Sequence, residues 1–131
     1  MRSIGVVLLL LMAACGGGEE AESVVPGAPG PLCADVIEVV VTPEAAGTYH
    51  FEVTVHSPDT GWEKYADAWE VRSLDETVLA TRVLAHPHVD EQPFTRSLGG
   101  VAIPEGVMEV EVAARDLVEG FCGETVIVPV P

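Results

Sequence analysis

The most regular pattern along this chain is a two-residue alternation of apolar and polar side chains. It is clearest between Thr48 and Ser57. The apolar set there is Tyr49, Phe51, Val53 and Val55, and the polar set is His50, Glu52, Thr54 and His56. In a β-strand, successive side chains point to opposite faces of the sheet. A two-residue alternation therefore predicts that the apolar set lies in a core and the polar set in solvent.

Similar segments recur after Cys33 and are separated by short runs rich in Pro, Gly and Asp. Strands are predicted for residues 35–42, 48–57, 62–72, 77–85, 94–98, 107–115 and 125–130. Gly99-Gly100 is expected to end the fifth strand. No amphipathic helix is evident. About seven short strands in roughly 100 residues predict an all-β fold with antiparallel strands.

The inner faces of three further strands follow from the same alternation. They are expected to carry Ile37, Val39, Val41, Trp69, Val71, Met108, Val110, Val112 and Ala114. A tryptophan on the third strand resembles the core tryptophan of immunoglobulin-like domains. We therefore expect residues 32–131 to form a single immunoglobulin-like or fibronectin-III-like sandwich of about seven antiparallel strands.

The first 14 residues have a different composition. A positively charged start precedes an apolar run from Ile4 to Met12 that is interrupted by Gly5. This run is shorter than the roughly 20 residues that a membrane-spanning helix needs, but it suits the core of a secretory signal. Met12-Ala13-Ala14-Cys15 resembles the lipobox of bacterial lipoproteins, with Met12 where Leu is usual. The resemblance implies a signal peptide over residues 1–14 and a lipid on Cys15; an ordinary signal peptide or a buried helix is the alternative.

In residues 15–31, Cys15 is followed by three glycines, then by acidic residues, and the segment ends in the Pro/Gly-rich run Pro26–Pro31. Such a composition cannot bury enough apolar area to fold, so it predicts a flexible tether. The lipid on Cys15 would attach this tether to the membrane of a bacterial cell envelope. Gly16 after the cysteine resembles the pattern sorted to the outer membrane, which in a Gram-negative cell implies a periplasmic domain.

Two cysteines remain once Cys15 carries the lipid. In an oxidising compartment, Cys33 and Cys122 are expected to form a disulfide, and two free thiols are the alternative. A bridge that closes nearly the whole domain would stabilise it by about 3–5 kcal/mol.

The chain is strongly acidic, with a formal net charge of −15. Nucleic acid and anionic lipid are bound through basic patches, so neither is an expected partner. A solvated surface or a salty habitat would equally explain the acidity.

The segment His86-Pro87-His88 is the sharpest candidate for chemistry. Pro87 favours an extended conformation at His86, which would place the two imidazoles on one side and about 6–7 Å apart along the chain. Two such imidazoles can ligate Cu(II), Ni(II) or Zn(II). Asp90 or Glu91 is a candidate third ligand, and His56 is a candidate from a neighbouring strand.

The competing interpretation is a structural loop without metal. In this interpretation the histidines hydrogen-bond backbone groups and Glu91 pairs with Arg96. An H-x-H pair without a distant third ligand occurs often by chance, so the spacing leaves both interpretations open.

A second candidate surface consists of aromatic residues near the strand ends. Trp62, Tyr65 and Phe94, together with Arg96, are expected to form a patch for an envelope protein partner. Core packing of the same aromatic residues is the alternative.

No nucleophile elbow of the form Gly-x-Ser-x-Gly and no phosphate-binding loop occurs in the sequence, so an enzyme is not expected. Gly61-Trp62, Tyr65–Trp69, His86–His88 and Glu91–Arg96 resemble a family of small exported bacterial proteins with no assigned activity. That resemblance implies no catalytic role. The chain is therefore predicted to be a non-catalytic binding module, with Cu or Zn binding or delivery as the alternative.

Overall fold

The computed structural model describes residues 32–131, which form seven β-strands in two antiparallel sheets. The strands are β1 Asp35–Pro43, β2 Thr48–His56, β3 Ala66–Ser73, β4 Val78–Val83, β5 Phe94–Ala102, β6 Glu109–Asp116 and β7 Val126–Pro129. The all-β prediction is confirmed. The predicted signal peptide (1–14), the lipidated Cys15 and the tether (15–31) lie outside the described residues. Within residues 32–131 no helix is long and apolar enough to cross a membrane.

The strand order is β1-β2-β5 in one sheet and β4-β3-β6-β7 in the other. In immunoglobulin constant domains the fourth strand joins the sheet of the first, second and fifth. Here β4 pairs with β3 instead. Of the two sandwich types predicted, the arrangement is therefore the fibronectin-III-like one.

The core lies between the two sheets and follows the alternation of the sequence. Phe51, Val53 and Val55 of β2 are fully buried, as predicted. Trp69 and Val71 of β3 are also fully buried in the same cluster. Burial of each large apolar side chain contributes about 1.5–3 kcal/mol, which fixes the register of these strands.

Two residues predicted for the core lie outside it. Ile37 is 52% exposed because the register of β1 shifts between Val36 and Glu38, and this bulge turns Val36 inward instead. Met108 is 73% exposed because β6 begins after it, at Glu109. Strict alternation failed at a bulge and at a strand end.

Gly99 and Gly100 lie inside β5, so the prediction that they end the strand is wrong. Gly100 has a φ of 67° and donates its amide to Glu44 Oε2 at 3.1 Å. A Cβ on Gly99 would lie 3.0 Å from Glu44 Oε1 and 3.4 Å from His50 Nδ1. The glycines leave room for the Glu44–His50 pair beside the strand, where the register with β2 shifts.

Antiparallel connections divide the loops between the two ends of the sandwich. The proximal pole, where the described chain begins at Leu32, contains loops 57–65, 84–93 and 117–125. The distal pole contains turns 44–47, 74–77 and 103–108. The predicted disulfide Cys33–Cys122 is confirmed and lies at the proximal pole, with a Cα–Cα distance of 5.4 Å across 89 positions of sequence.

Candidate functional site

Two loops of the proximal pole are joined by a buried carboxylate, Asp59. Its Oδ1 accepts hydrogen bonds from Ser57 Oγ at 2.6 Å and from the amide of Ala66 at 2.9 Å. Its Oδ2 accepts from the amide of His88 at 2.9 Å. A buried carboxylate needs several hydrogen-bond donors. Because the donors to Asp59 come from both loops, these bonds fix the loop 84–93 against the loop 57–65.

Gln92 forms a second link between the same loops. Its Oε1 accepts from the amide of Ser57 at 2.9 Å, and its Nε2 donates to the carbonyl of His88 at 2.9 Å. His88 is therefore held through both its amide and its carbonyl. The wall formed by residues 86–91 is fixed before any ligand arrives.

A second buried carboxylate, Asp116, organises the other side of the pole. Lys64 Nζ donates to Asp116 Oδ2 at 2.6 Å and to the carbonyl of Leu32 at 2.8 Å. Asp116 Oδ1 accepts from the amides of Val118 and Glu119 at 2.8 and 2.9 Å. Burial alone would raise the pKa of Asp116, but Lys64 and the two amides outweigh it, so the pKa lies below its usual value.

His88 is buried with 4% of its surface exposed, and its ring stacks on Phe94 with centroids 3.9 Å apart. Arg96 Nη2 lies 2.9 Å from His88 Nε2. Guanidinium only donates, so Nε2 accepts and the proton of the neutral ring is on Nδ1. Burial, followed by the charges of Arg96 and His86, lowers the pKa of His88. Nδ1 is buried and has no hydrogen-bond partner within residues 32–131.

The structure brings the two candidate metal-binding histidines together. The ring centroids of His86 and His88 are 4.5 Å apart, and His86 Nδ1 lies 3.0 Å from the carbonyl of Pro87. However, Nε2 of His88 already faces the positive charge of Arg96, which opposes a cation at that nitrogen.

The proposed third ligands are placed differently. Glu91 pairs with Arg96, with both N–O distances at 3.3 Å. His56 is exposed at the end of β2 and makes no hydrogen bond or ring contact with the pair. In the described part of the chain, no three His, Cys, Asp or Glu side chains are grouped so that they could hold a metal ion. Metal binding stays a prediction.

The aromatic surface predicted from the sequence is divided by the fold. Trp62 is 68% exposed and meets Tyr65 edge to face, with ring centroids 5.9 Å apart. Phe94 is buried beneath His88, so it belongs to the core and cannot contact a partner directly. Arg96 is partly exposed and engaged with Glu91 and His88.

Trp62 forms one side of an open groove, which we call the Trp62 groove. Its volume is about 500 Å³, and its lining residues are Gly61, Trp62, His86, Pro87, His88, Val89, Asp90 and Glu91. The candidate histidines and the candidate tryptophan, which the sequence presents as two separate sites, therefore share one surface.

The two carboxylates that build this pole were not identified from the sequence. In the sequence, Asp59 belongs to Pro58-Asp59-Thr60-Gly61, which is an ordinary turn signal, and Asp116 directly follows the strand predicted for residues 107–115. The local sequence carries no signal for their burial, because their donors come from residues as distant in sequence as His88 and Lys64.

No protein-family model matches the chain, and no solved structure matches it. Among curated proteins, the chain is similar to a protein of Halomicrobium mukohataei described as "Putative lipoprotein". The two are 35% identical over 95 residues, which make up 72% of this chain and 46% of the relative.

The chain thus spans about half the length of the curated relative that it matches. The similarity supports a lipoprotein of unassigned function and agrees with a membrane-anchored place in the cell envelope. The relative's description names no ligand, partner or reaction.

Proposed function

We propose that this protein is a lipid-anchored, non-catalytic binding module of the cell envelope, and that the Trp62 groove is its binding surface. The observation that carries the proposal is a tryptophan that stays 68% exposed while the opposite wall of its groove is fixed by buried hydrogen bonds.

An exposed indole beside a rigid wall is well suited to binding. Tryptophan is a common anchor at protein interfaces because it offers a large contact area with little conformational freedom to lose. The links through Asp59 and Gln92 fix the loop before binding, so less ordering is needed when a ligand docks.

The anchor is supported by two independent observations. Met12-Ala13-Ala14-Cys15 resembles a lipobox, and the similar curated protein is described as a lipoprotein. For a Gram-negative host, we propose that the module lies on the outer membrane and faces the periplasm.

Site-specific photo-crosslinking in the membrane-anchored full chain tests the proposal. A photoreactive residue at position 62 is expected to give a discrete adduct, whereas one at position 108 is not. Position 108 is a matched control because Met108 is equally exposed but lies at the distal pole. Cys15→Ser is expected to move the protein from the membrane to the soluble fraction. Equal labelling at both positions, or none at position 62, would contradict the groove as the binding surface.

The alternative function, a Cu or Zn module, has one observation in its favour, which is the 4.5 Å approach of the His86 and His88 rings. Isothermal titration of Cu(II) and Zn(II) into the chain tests it. Stoichiometric binding that disappears in His86→Ala would support a metal site. Equally weak binding by the unmodified chain and the His86→Ala variant would contradict a metal site.

A further inference from the structure

The Trp62 groove combines an aromatic surface with negative charge. The exposed indole of Trp62 leaves ring surface open to solvent, and Asp90 lines the same groove. Glu63 follows Trp62 directly and is exposed. Within residues 32–131, neither Asp90 nor Glu63 has an ion-pair or side-chain hydrogen-bond partner.

The positive charges of the domain are all engaged elsewhere. The five Lys and Arg side chains in residues 32–131 each contact groups of the domain itself. Lys64 contacts Asp116, Arg72 contacts Glu70 and Glu111, Arg82 contacts backbone carbonyls, Arg96 contacts Glu91, and Arg115 contacts Asp67. The carboxylates of Asp90 in the groove and of Glu63 beside it are therefore available to a cation from outside the domain, whereas Glu91 is already paired with Arg96.

A third feature of the groove is its fixed wall. His88 lines the groove but is only 4% exposed, and its Nδ1 is buried. Asp59 and Gln92 hold the amide and the carbonyl of His88, so this wall needs little ordering when a partner docks. The groove thus contains an aromatic surface, free carboxylate and a fixed wall.

We propose that the Trp62 groove binds a basic peptide segment of a partner protein. An Arg side chain of that segment lies over the Trp62 indole and beside Asp90. A guanidinium is attracted both to the face of an indole and to a carboxylate, so one side chain satisfies both groups. This inference rests on the proposed function, because it assigns a partner to the same groove.

The acidity of the whole chain favours such a partner over an anionic membrane. The net charge of −15 attracts a basic segment over a distance and speeds its association at low salt. The same charge repels anionic lipid head groups. A neutral bilayer is the remaining competitor for the exposed indole, and it is included as an outcome of the test.

The test uses the predicted mature chain, residues 15–131, with Cys15→Ser to prevent lipidation. The probe is acetyl-Gly-Arg-Gly-Arg-Gly-amide, and its control is the same peptide with citrulline, a neutral isostere, in place of arginine. Tryptophan fluorescence reports on the groove because Trp62 is exposed and Trp69 is fully buried. Isothermal titration measures affinity in variants that lack Trp62.

We expect the arginine peptide to bind and its affinity to fall as salt is added. The citrulline peptide is expected not to bind. Trp62→Ala is expected to lower the affinity about tenfold and Asp90→Asn about fivefold. Glu105→Gln makes the same charge change at the distal pole and is expected to alter the affinity less than about twofold. All three residues are exposed, so thermal unfolding should verify that the variants remain folded.

Three results would overturn the inference. These are equal binding of the citrulline peptide, equal weakening by Glu105→Gln and Asp90→Asn, and binding of phosphatidylcholine vesicles in place of the peptide. Crosslinking at position 62 without peptide binding would support the proposed function and contradict a basic peptide as the partner. Failure of both measurements would contradict both the proposed function and this inference.

Discussion

The two poles of the sandwich differ both in the length of their loops and in how those loops are held. At the proximal pole, buried carboxylates and a disulfide fix the loops from inside. At the distal pole, the turns rely on exposed contacts, such as the Ser73 hydroxyl with Asp75, and on glycines with positive φ, such as Gly47 and Gly106. The distal pole shows that this fold can close its turns without burying any charge.

The difference indicates what the proximal network provides. Burying an ion pair such as Lys64–Asp116 contributes little net stability, because desolvation offsets the attraction. Fully satisfied buried networks do restrict a loop to one conformation. We therefore interpret Asp59 and Asp116 as residues that define the shape of the proximal loops, which is consistent with a binding surface there.

Removing the disulfide should have the largest effect. Because the bridge joins residues 89 positions apart, Cys33→Ser/Cys122→Ser should lower the free energy of unfolding by about 4 kcal/mol. Urea unfolding of the oxidised, reduced and variant proteins would measure it. A loss below about 1 kcal/mol would mean that the noncovalent network alone holds the proximal pole.

Removing a buried carboxylate should have the next largest effect. Asp116→Ala leaves Lys64 Nζ and two amides without their acceptor, and it should lower the free energy of unfolding by about 3 kcal/mol. Asp75→Ala removes an exposed carboxylate from a distal turn and should have a far smaller effect. Urea unfolding measures both variants. Similar losses of unfolding free energy in Asp116→Ala and Asp75→Ala would contradict the contrast between the poles.

Glycine substitutions should destabilise the two poles to different extents, because a Cβ meets backbone atoms at one pole and open space at the other. A Cβ on Gly123 would lie 1.9 Å from the backbone oxygen of Ala34, so Gly123→Ala must displace the backbone and should cost about 2–3 kcal/mol. Gly106 has open space around it and a φ of 92°, so Gly106→Ala should cost only about 1 kcal/mol of backbone strain. Thermal unfolding of the two variants measures both. The reverse order would show that the distal turn is the more tightly constrained.

A pH titration should give the smallest and most specific effect. The pKa of His88 lies below its ordinary value of 6.5 because the ring is buried, with smaller contributions from Arg96 and His86. The unfolded chain therefore takes up the proton first. The contribution of His88 to stability is complete above pH 6.5 and is lost as the pH falls through 6.5 toward the lower pKa of the folded protein.

His88→Phe should remove this dependence on pH, because a phenyl ring can keep the stack on Phe94. His50→Gln at the distal pole should retain it, because His88 is still present. Urea unfolding at pH values on either side of 6.5 provides the comparison. An unchanged slope in His88→Phe would assign the dependence to other groups.

The fold was largely predictable because side-chain alternation directly reflects which strand face is buried. β2 shows this best, with Phe51, Val53 and Val55 all in the core. The errors lie where the backbone leaves the regular pattern. A bulge in β1 places Val36 in the core where Ile37 was predicted. Gly99 and Gly100 continue β5, and the lack of a side chain at Gly99 leaves room for the neighbouring Glu44–His50 pair.

The site was predicted only in part, because its geometry depends on contacts between distant segments. The sequence identified His86, His88 and Trp62 as candidates, and they line one groove. It could not show that His88 lies buried on Phe94, nor that Asp59 connects the two loops. Those facts follow from strand order, which alternation does not encode.

The disulfide also determines how the domain would respond to mechanical force. A pull applied to the chain before Cys33 and after Cys122 would pass directly through the covalent bridge. The residues between the two cysteines, which include six of the seven strands, would carry no tension. Only residues 123–131, with the short strand β7, would be free to peel away. A domain pulled between residue 32 and the residues after Cys122 would therefore keep its groove intact under loads that detach β7.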